Sequence, residues 1–379
     1  MKFTADRDRF EDAVTRTTKS LPARPAIPVL AGVMLRVTDG TLHVSGFDYE
    51  VANQAALSVE GASDGAALVS GRLLSDIAKA LPKGKPVAVA ETGVQVEIVC
   101  GSARFTLPTM PVEDYPALPV MPDSSGIVDA AEFAAAVAQV AVAAGRDESL
   151  PMMTGVRVEF DGNTITMLAT DRYRLAMRQI EWSPADLDIN TSVLVPAATL
   201  RDTAKALGAG GGAVSIAYNG DPAANGGMIG FASGQSTTTT RLLDGANYPP
   251  VRSLFPATYN AEAVLPVAAL IEVVKRVALV AERTTPVVLN FTADGLVVEA
   301  GGGEEARASE DMDGVKFDGE PLVMAFNPQY LIDGLQNLGA AYARLSIVDA
   351  FKPAVITPVV DGGEQPAYRY LIMPIRVTR

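Results

Sequence analysis

Hydrophobic residues follow two different spacings along the chain, one typical of helices and one typical of strands. In the first third, Phe10 and Val14 lie on one apolar helical stripe, and Ile77 and Leu81 lie on another. A helix with a single apolar stripe packs that stripe against another layer. Between such stretches, segments such as LHVSGFDYEVANQAALSV alternate apolar and polar positions, which predicts antiparallel strands joined by turns. The pattern therefore predicts an α+β fold in which helices cover one face of antiparallel sheets.

The same succession of elements occurs three times. A helix, a proline-rich loop and a strand in FEDAVTRTTKSLPARPAIPVLAGVMLRV return in that order in FAAAVAQVAVAAGRDESLPMMTGVRVEF and in LIEVVKRVALVAERTTPVVLNF. Each repeat then has a second helix, as in ALVSGRLLSDIAKALP. The offset from Leu30 to Met153 is 123 residues, which is too long for a solenoid repeat. We therefore expect three similar domains, each with two helices and about eight strands.

Two short segments have the composition of linkers and place the domain boundaries. MPDSSG at 121–126 and FPATYNAEA at 255–263 combine proline with small or polar residues between the repeats. We therefore expect an N-terminal domain over residues 1–124, a central domain over 125–257 and a C-terminal domain over 258–379.

The composition narrows the classes of function. With 48% hydrophobic and 20% charged residues the chain is expected to be soluble and well packed, and no apolar run reaches the roughly 18 residues of a membrane helix. MKFTADRDRF lacks the apolar core of a signal peptide, and the single cysteine, Cys100, excludes an intramolecular disulfide, so we expect a cytoplasmic protein. The net charge of −13 argues against a broad basic surface for nucleic acid, but it is compatible with a locally basic channel.

Few residues are available for catalysis. With one histidine, His43, and one cysteine, the chain cannot form a usual His/Cys zinc site, and no phosphate-binding glycine loop occurs. Asp171, in ATDRYRLAM, has no second acid or histidine beside it, so we expect it to accept a hydrogen bond that stabilises a turn or strand. Arg172 and Arg174 are expected on one face of a strand, with Asp171 and Tyr173 on the other. We expect no enzyme activity, no catalytic residue, no cofactor and no metal.

One alternative class of function stays open at this point. Acidic residues of the third repeat could hold Mg²⁺ in a carboxylate-metal enzyme. A solvated acidic loop is the simpler interpretation of the same residues. They are Glu304, Glu305, Glu310 and Asp311.

Five segments in order resemble one known family, the bacterial DNA polymerase III beta subunit or beta sliding clamp. They are MKFTADRDRF, RPAIPVLAGVML, ATDRYRLA, LLDGANYPPVRSLFP and YLIMPIRVTR, and the details YLIMP and SLPARP look most like actinobacterial members. The resemblance implies three domains of the DNA clamp fold and a head-to-tail dimeric ring that encircles duplex DNA, with helices lining the hole. It implies a processivity factor for DNA replication that tethers the replicative polymerase and other DNA-processing proteins. A specialised duplicate clamp is the alternative within the family.

The resemblance also implies a surface pocket that binds short linear motifs of partner proteins. The partners implied are the DNA polymerase III alpha subunit, the clamp loader delta subunit, and other polymerases and repair proteins. Apolar subsites of leucine, methionine and proline suit such peptides. Ser253 stands where relatives have an arginine, so a different polar edge is expected. The implied pocket residues are Met152, Met153, Gly155, Thr170, Arg172, Tyr173, Arg174, Leu175, Pro249, Leu254, Leu371, Ile372, Met373, Pro374, Ile375 and Arg376.

Two further surfaces are expected on the same grounds. Basic residues of the helices and of one loop are expected at double-stranded DNA: Arg24, Arg72, Lys79, Arg201 and Lys205. A homodimer interface is expected to join the first domain of one copy to the third domain of the other, with Arg104 pairing with Glu304 or Glu305 across it. The interface residues implied are Arg104, Phe105, Leu107, Leu279, Val280 and Glu304.

Overall fold

The computed structural model describes residues 1–22, 25, 27–208, 210–219, 227–280, 285–301, 306–360 and 366–376. Six α-helices lie within these residues, two in each third of the chain, as the repeat predicts. Polar side chains begin several of them: the carboxylate of Asp6 accepts hydrogen bonds from the first turn of the first helix, and Asn327 does the same for the last. The helices are α1 (Arg7–Thr18), α2 (Gly71–Ala80), α3 (Ala130–Ala141), α4 (Ala197–Gly208), α5 (Val267–Val277) and α6 (Pro328–Gln336).

Nine strands fall in each third within the described residues, close to the eight expected. The first nine are β1 (Lys2–Ala5), β2 (Gly32–Thr38), β3 (Thr41–Phe47), β4 (Val51–Ser58), β5 (Glu60–Ser63), β6 (Gly65–Ser70), β7 (Val87–Thr92), β8 (Gln95–Cys100) and β9 (Ala103–Met110). The next nine are β10 (Ser124–Asp129), β11 (Gly155–Asp161), β12 (Thr164–Thr170), β13 (Arg174–Glu181), β14 (Ser183–Pro184), β15 (Asn190–Pro196), β16 (Ala213–Asn219), β17 (Met228–Ser233) and β18 (Ser236–Arg241). The last nine are β19 (Ala261–Pro266), β20 (Val287–Thr292), β21 (Gly295–Gly301), β22 (Arg307–Met312), β23 (Lys316–Asp318), β24 (Leu322–Phe326), β25 (Tyr342–Ile347), β26 (Ala354–Pro358) and β27 (Tyr368–Ile372).

The described residues form two compact units. Unit 1 comprises Met1–Ala134, Trp182–Leu187 and Asp202–Leu242. Its strands form one antiparallel sheet in the order β14-β10-β16-β17-β18-β4-β3-β2-β6-β9-β8-β7-β1-β5. Helices α1 and α2 pack on the core of this sheet through the apolar stripes predicted from the sequence, because Phe10, Val14, Ile77 and Leu81 are all buried in it.

Unit 2 comprises Ala135–Glu181, Asp188–Arg201 and Leu243–Arg379. It contains a nine-stranded antiparallel sheet, β15-β11-β12-β13-β27-β26-β25-β19-β23, and a four-stranded one, β22-β21-β20-β24. Within the larger sheet, β13 pairs with β27 so that Leu175 lies opposite Leu371. This pairing joins the ATDRYRLA segment to the C-terminal strand, and the functional site described below depends on it.

Both predicted linkers are shorter than their composition suggests. β10 begins at Ser124, inside the MPDSSG segment, and β19 begins at Ala261, inside FPATYNAEA. Small and polar residues are compatible with an edge of a sheet as well as with a loop, so composition alone overestimated the loop length. Among the described residues, no helix is both long and apolar enough to span a membrane.

Candidate functional site

The tight turn between β12 and β13 is the centre of the site in unit 2. Asp171 accepts hydrogen bonds from the backbone N–H groups of Tyr173 at 3.0 Å and Arg174 at 3.1 Å. The hydroxyl of Thr170 accepts one from the N–H of Arg172 at 3.1 Å and donates one to the carbonyl of Arg174 at 2.6 Å. Side chains thus satisfy the backbone groups that the turn takes out of the ladder. The hydrogen-bonding role predicted for Asp171 is confirmed.

The same turn corrects the predicted strand alternation. β12 ends at Thr170 and β13 begins at Arg174, so 171–173 is not a strand. Arg172 has a φ of +79°, in the left-handed region that residues with a side chain rarely adopt. As a result Arg172 is exposed whereas Arg174 is buried, and the two do not share a face.

Arg174 is the centre of a buried ion-pair network. Its Nε donates to Asp171 at 2.9 Å, its Nη1 donates to Asp333 of α6 at 2.6 Å, and its guanidinium lies 4.3 Å from the centre of the Tyr330 ring. Burial by itself lowers the pKa of Arg174, but Tyr370 and the two carboxylates raise it by more, so the guanidinium stays charged. The Tyr370 hydroxyl donates to the carbonyl of Tyr330 at 2.8 Å. This network fixes the turn to α6 and β27.

The residues after β27 form a wall beside this turn. The N–H of Met373 donates to the carbonyl of Tyr173 at 2.9 Å, and the N–H of Ile375 donates to the carbonyl of Ala325 in β24 at 2.7 Å. Between these two anchoring points the chain has Pro374, which fixes its own φ. The wall is therefore held in place before any ligand binds. The side chains of Met373 and Ile375 stay exposed, with 39% of Met373 accessible.

A buried apolar cluster lies beneath the turn and the wall. Its members are Leu168, Leu175, Met177, Leu194, Tyr248, Val251, Phe255, Val355 and Leu371, with Met152, Leu243 and Tyr259 packed against them. Leu175 is only 1% exposed, and Thr170, Leu371 and Ile372 are also buried. These four predicted pocket residues therefore support the site from below, and they offer a ligand almost no free surface. Sequence patterns could not separate them from the exposed wall residues.

Tyr248 adds an unusual polar group to the cluster. Its hydroxyl is buried and has no hydrogen-bond partner among the described residues. Burial is the main cause that raises the pKa of Tyr248 to about 12, so the phenol stays protonated at neutral pH.

The other predicted pocket residues surround this cluster. Met153 is held by two backbone hydrogen bonds, to Leu150 and from Gly145. Gly155 starts β11, where an added Cβ would lie 2.7 Å from the side chain of Leu194. Pro249 lies just before the short helix Val251–Leu254, and Leu254 ends that helix and is exposed.

Two contributors to the site have no signal in the sequence. Tyr330 stacks on Tyr173 with ring centres 6.4 Å apart, and Asp333 completes the network around Arg174. Both lie on α6, and nothing local in NPQYLIDGLQ indicates a partner about 160 residues earlier.

Other predicted residues lie on separate surfaces or in the core. Arg72, Lys79, Arg201 and Lys205 are exposed on α2 and α4, and none has an ion pair among the described residues, whereas Arg24 lies outside them. The side chain of Leu107 is buried in the core of unit 1, so only its backbone could face a partner. Phe105 is partly buried against the same core, and Arg104 pairs with Glu97 of its own chain.

The remaining predicted residues lie in the third repeat. Leu279 is 83% exposed, next to Val280 in a short helix after α5, and Glu304 and Glu305 lie outside the described residues. Glu310 pairs with Arg276 at 2.6 Å, which lowers the pKa of Glu310. The described part of the chain has no cluster of three or more potential metal ligands.

Family models match each third of the chain in turn. The N-terminal, central and C-terminal domain models of the DNA polymerase III beta subunit match residues 1–119, 127–250 and 252–376. The chain belongs to the DNA polymerase III beta subunit family. The resemblance, the three clamp domains and the sliding-clamp function inferred from the sequence are thereby confirmed.

Individual relatives agree with this family. The beta sliding clamp of Streptomyces coelicolor is 48% identical over the full length of both chains, and that of Micrococcus luteus is 47% identical over 82% of this chain and 98% of the relative. The beta sliding clamp homolog GriR of Streptomyces muensis is 40% identical over the full length of both. Among solved structures, the DnaN sliding clamp of Pseudomonas aeruginosa bound to griselimycin matches over both full chains, with a TM-score of 0.89 and 25% identity.

Proposed function

We propose that the site in unit 2 is the pocket through which this clamp tethers its partners. The proposed ligands are short linear motifs of the DNA polymerase III alpha subunit, the clamp loader delta subunit, other polymerases and repair proteins. One observation carries the proposal: four large apolar side chains stay exposed around a buried apolar floor, namely Tyr173, Leu254, Met373 and Ile375. Exposed apolar groups in one place mark interaction sites, and leucine or phenylalanine anchors would cover them.

The same site supports a role without catalysis. Its acidic groups, Asp171 and Asp333, are both bound to Arg174, and the buried hydroxyl of Tyr248 is held protonated. A general base or nucleophile needs a free group next to a second one that activates it. We therefore propose that the protein binds and positions partners and is not an enzyme, and that it works in the cytoplasm, where bacterial DNA lies.

We propose that two copies close head to tail into a ring. Supporting this, residues 103–108 of β9 pair with β8 on one side and have no partner strand on the other among the described residues, since β6 reaches only Thr109 and Met110. β22 is likewise the end strand of its sheet, and Leu279 is exposed beside it. Two open edges on one chain suit a heterologous interface that extends both sheets.

The interface has a direct test. Changing Leu279 and Val280 together to alanine is expected to convert dimers to monomers in sedimentation velocity at low micromolar concentration. The matched control is Phe351→Ala, another exposed apolar residue of unit 2. A double variant that stays dimeric would place the interface elsewhere.

We propose that DNA passes through the ring and makes few phosphate contacts. Arg72, Lys79, Arg201 and Lys205 are exposed on helices, and the two lysines occupy the same position of the AKAL segment in two repeats. Arg24 joins this set by resemblance alone. Each DNA phosphate that a lysine or arginine neutralises increases both the affinity for DNA and its dependence on salt. A few basic residues on a chain of net charge −13 therefore favour sliding along DNA over tight binding to it.

Retention on DNA tests the ring mechanism. Clamps loaded onto a closed circle are expected to stay bound through a gel-filtration column and to leave when a restriction enzyme linearises the circle. Release that does not depend on cutting would contradict encirclement. Binding to the same linear DNA without loading is expected to be weak and to fall steeply with salt.

We further propose clamp domains over residues 1–124, 125–257 and 258–379. In support, the first two matched family domains lie within these limits, and the third begins slightly earlier, at residue 252. The chain is more similar to a beta sliding clamp than to a protein named a clamp homolog, at 48% against 40% identity, which favours the replicative clamp over a specialised copy. Deleting the gene in strains with and without a second clamp gene tests this choice, since only a replicative clamp is expected to be essential without the second copy.

A further inference from the structure

A second concave surface adjoins the apolar floor of the pocket. It is a cleft of about 420 Å³ in unit 2, and Phe255 and Val355 belong both to its lining and to the buried cluster beneath the pocket. Three arginines line it, Arg252, Arg344 and Arg369, and no aspartate or glutamate of the described residues does. On a chain of net charge −13 such a lining is unusual, and it favours an anionic ligand.

Arg369 is the half-buried arginine of the cleft. Its guanidinium lies 4.1 Å from the centre of the Phe255 ring, which orients it, and it has no carboxylate partner among the described residues. A guanidinium stacked in this way keeps its N–H groups free to bind a carboxylate through two hydrogen bonds.

The other two arginines form ion pairs that a ligand can replace. Arg252 pairs with Glu159 at 2.5 Å, and Arg344 pairs with Glu262 at 3.1 Å. All four side chains are partly exposed, and exposed pairs of this kind contribute little because water and salt screen them. A carboxylate on a peptide that is already bound in the pocket has a high effective concentration near the cleft, so it competes well with Glu159 and Glu262 for the two arginines.

The position of the cleft relates it to the peptide pocket. Arg369 and Leu371 are two positions apart in β27, so their side chains lie on the same face, about 7 Å apart along the strand. Arg252 precedes the exposed Leu254 on the same short helix. An extended peptide that has its apolar anchors in the pocket reaches the arginines within two to four further residues, at about 3.3 Å per residue.

We propose that this arginine cleft binds acidic residues that flank the apolar anchors of a partner motif. The proposal rests on the peptide-binding function above and adds a charge requirement that ranks competing partners. A peptide is favoured over a nucleic acid because Arg252 lies on the same short helix as the exposed Leu254, an apolar side chain that a peptide anchor covers and a phosphate backbone does not. Complementary charge outside the anchors raises affinity and selects among partners that share the same anchors.

Two labelled peptides test the proposal by fluorescence anisotropy. Both contain a glutamine followed by leucine and phenylalanine anchors, and one has aspartates on both sides of the anchors where the other has asparagines. The acidic peptide is expected to bind about tenfold more tightly at low salt, and the difference is expected to vanish at about 0.5 M NaCl. Arg369→Gln and Arg344→Gln are each expected to weaken the acidic peptide by about threefold to fivefold and the neutral peptide by less than about twofold.

Controls separate this inference from the function on which it rests. Lys352→Gln removes one positive charge from the exposed turn between β25 and β26, outside the cleft, and is expected to change neither peptide. Equal binding of the two peptides to the unmodified protein, with both weakened by Met373→Ala, would overturn the cleft and leave the pocket standing. No binding of either peptide would overturn both. Displacement of the acidic peptide by a short single-stranded oligonucleotide, in a manner that depends on Arg369, would assign the cleft to phosphates and also refute the proposal.

Discussion

Truncating Met373 tests the pocket most directly. Its backbone is fixed by the hydrogen bond to Tyr173, but its side chain is 39% exposed on the C-terminal wall. Met373→Ala therefore removes surface that a ligand would cover without removing a core residue. Leu175→Ala makes the opposite change: Leu175 is 1% exposed, so its loss affects the floor and hence the stability of the fold.

The expected magnitudes follow from these exposed fractions. Fully burying a methionine side chain contributes roughly 1.5–3 kcal/mol, and a peptide can bury only the 39% that is still accessible. This leaves about 0.6–1.2 kcal/mol, so Met373→Ala is expected to weaken a partner peptide by about threefold to sevenfold. Leu175→Ala is expected to lower the free energy of unfolding by about 2–5 kcal/mol.

Fluorescence anisotropy with a labelled peptide and urea unfolding measure the two quantities separately. Ile375→Ala, on the same wall, is expected to resemble Met373→Ala in both. Phe351→Ala is the matched control, because Phe351 is exposed but lies in the turn between β25 and β26. The reasoning is refuted if the unmodified protein binds the peptide and both wall variants bind it equally well.

Three further predictions concern stability. Arg174→Met leaves Asp171 and Asp333 without their cation, so it is expected to reduce the free energy of urea unfolding by about 3–5 kcal/mol. A loss below about 1 kcal/mol would contradict a structural role for the network. Arg172→Gly relieves the positive φ and is expected to raise that free energy by up to about 1 kcal/mol, whereas Arg172→Ala keeps the strain and should give no gain. Burial raises the pKa of Tyr248 from an ordinary 10.0 to about 12 in the folded state, so the protonated phenol favours folding below pH 10. This contribution is lost as the pH rises towards 12, by at most about 2.7 kcal/mol. Tyr248→Phe should remove that part of the alkaline loss of stability, measured by denaturant titrations at pH 8 and 11.

The sequence alone predicted most of the local structure of the chain. The stripes of Phe10 and Val14 on α1 and of Ile77 and Leu81 on α2 are buried as their spacing requires, because helical periodicity depends only on neighbouring residues. The threefold repeat predicted two helices per domain and antiparallel strands. The hydrogen-bonding role of Asp171 could also be predicted, because an Asx turn involves residues only two or three positions apart.

What the sequence left open is which predicted site residues are exposed, and tertiary structure alone decided this. Leu175 and Met373 look alike as apolar pocket residues, yet one is buried in the floor and the other forms the wall. The difference arises because Leu175 pairs with Leu371, from a strand nearly 200 residues later in the chain, and both pack in one buried cluster, whereas Met373 lies beyond the end of that strand. Arg174 likewise meets Asp333 through contacts that no local pattern encodes. Burial is set by partners distant in the chain, so periodicity indicates which face of an element is apolar, and only the packed fold determines whether that face is covered.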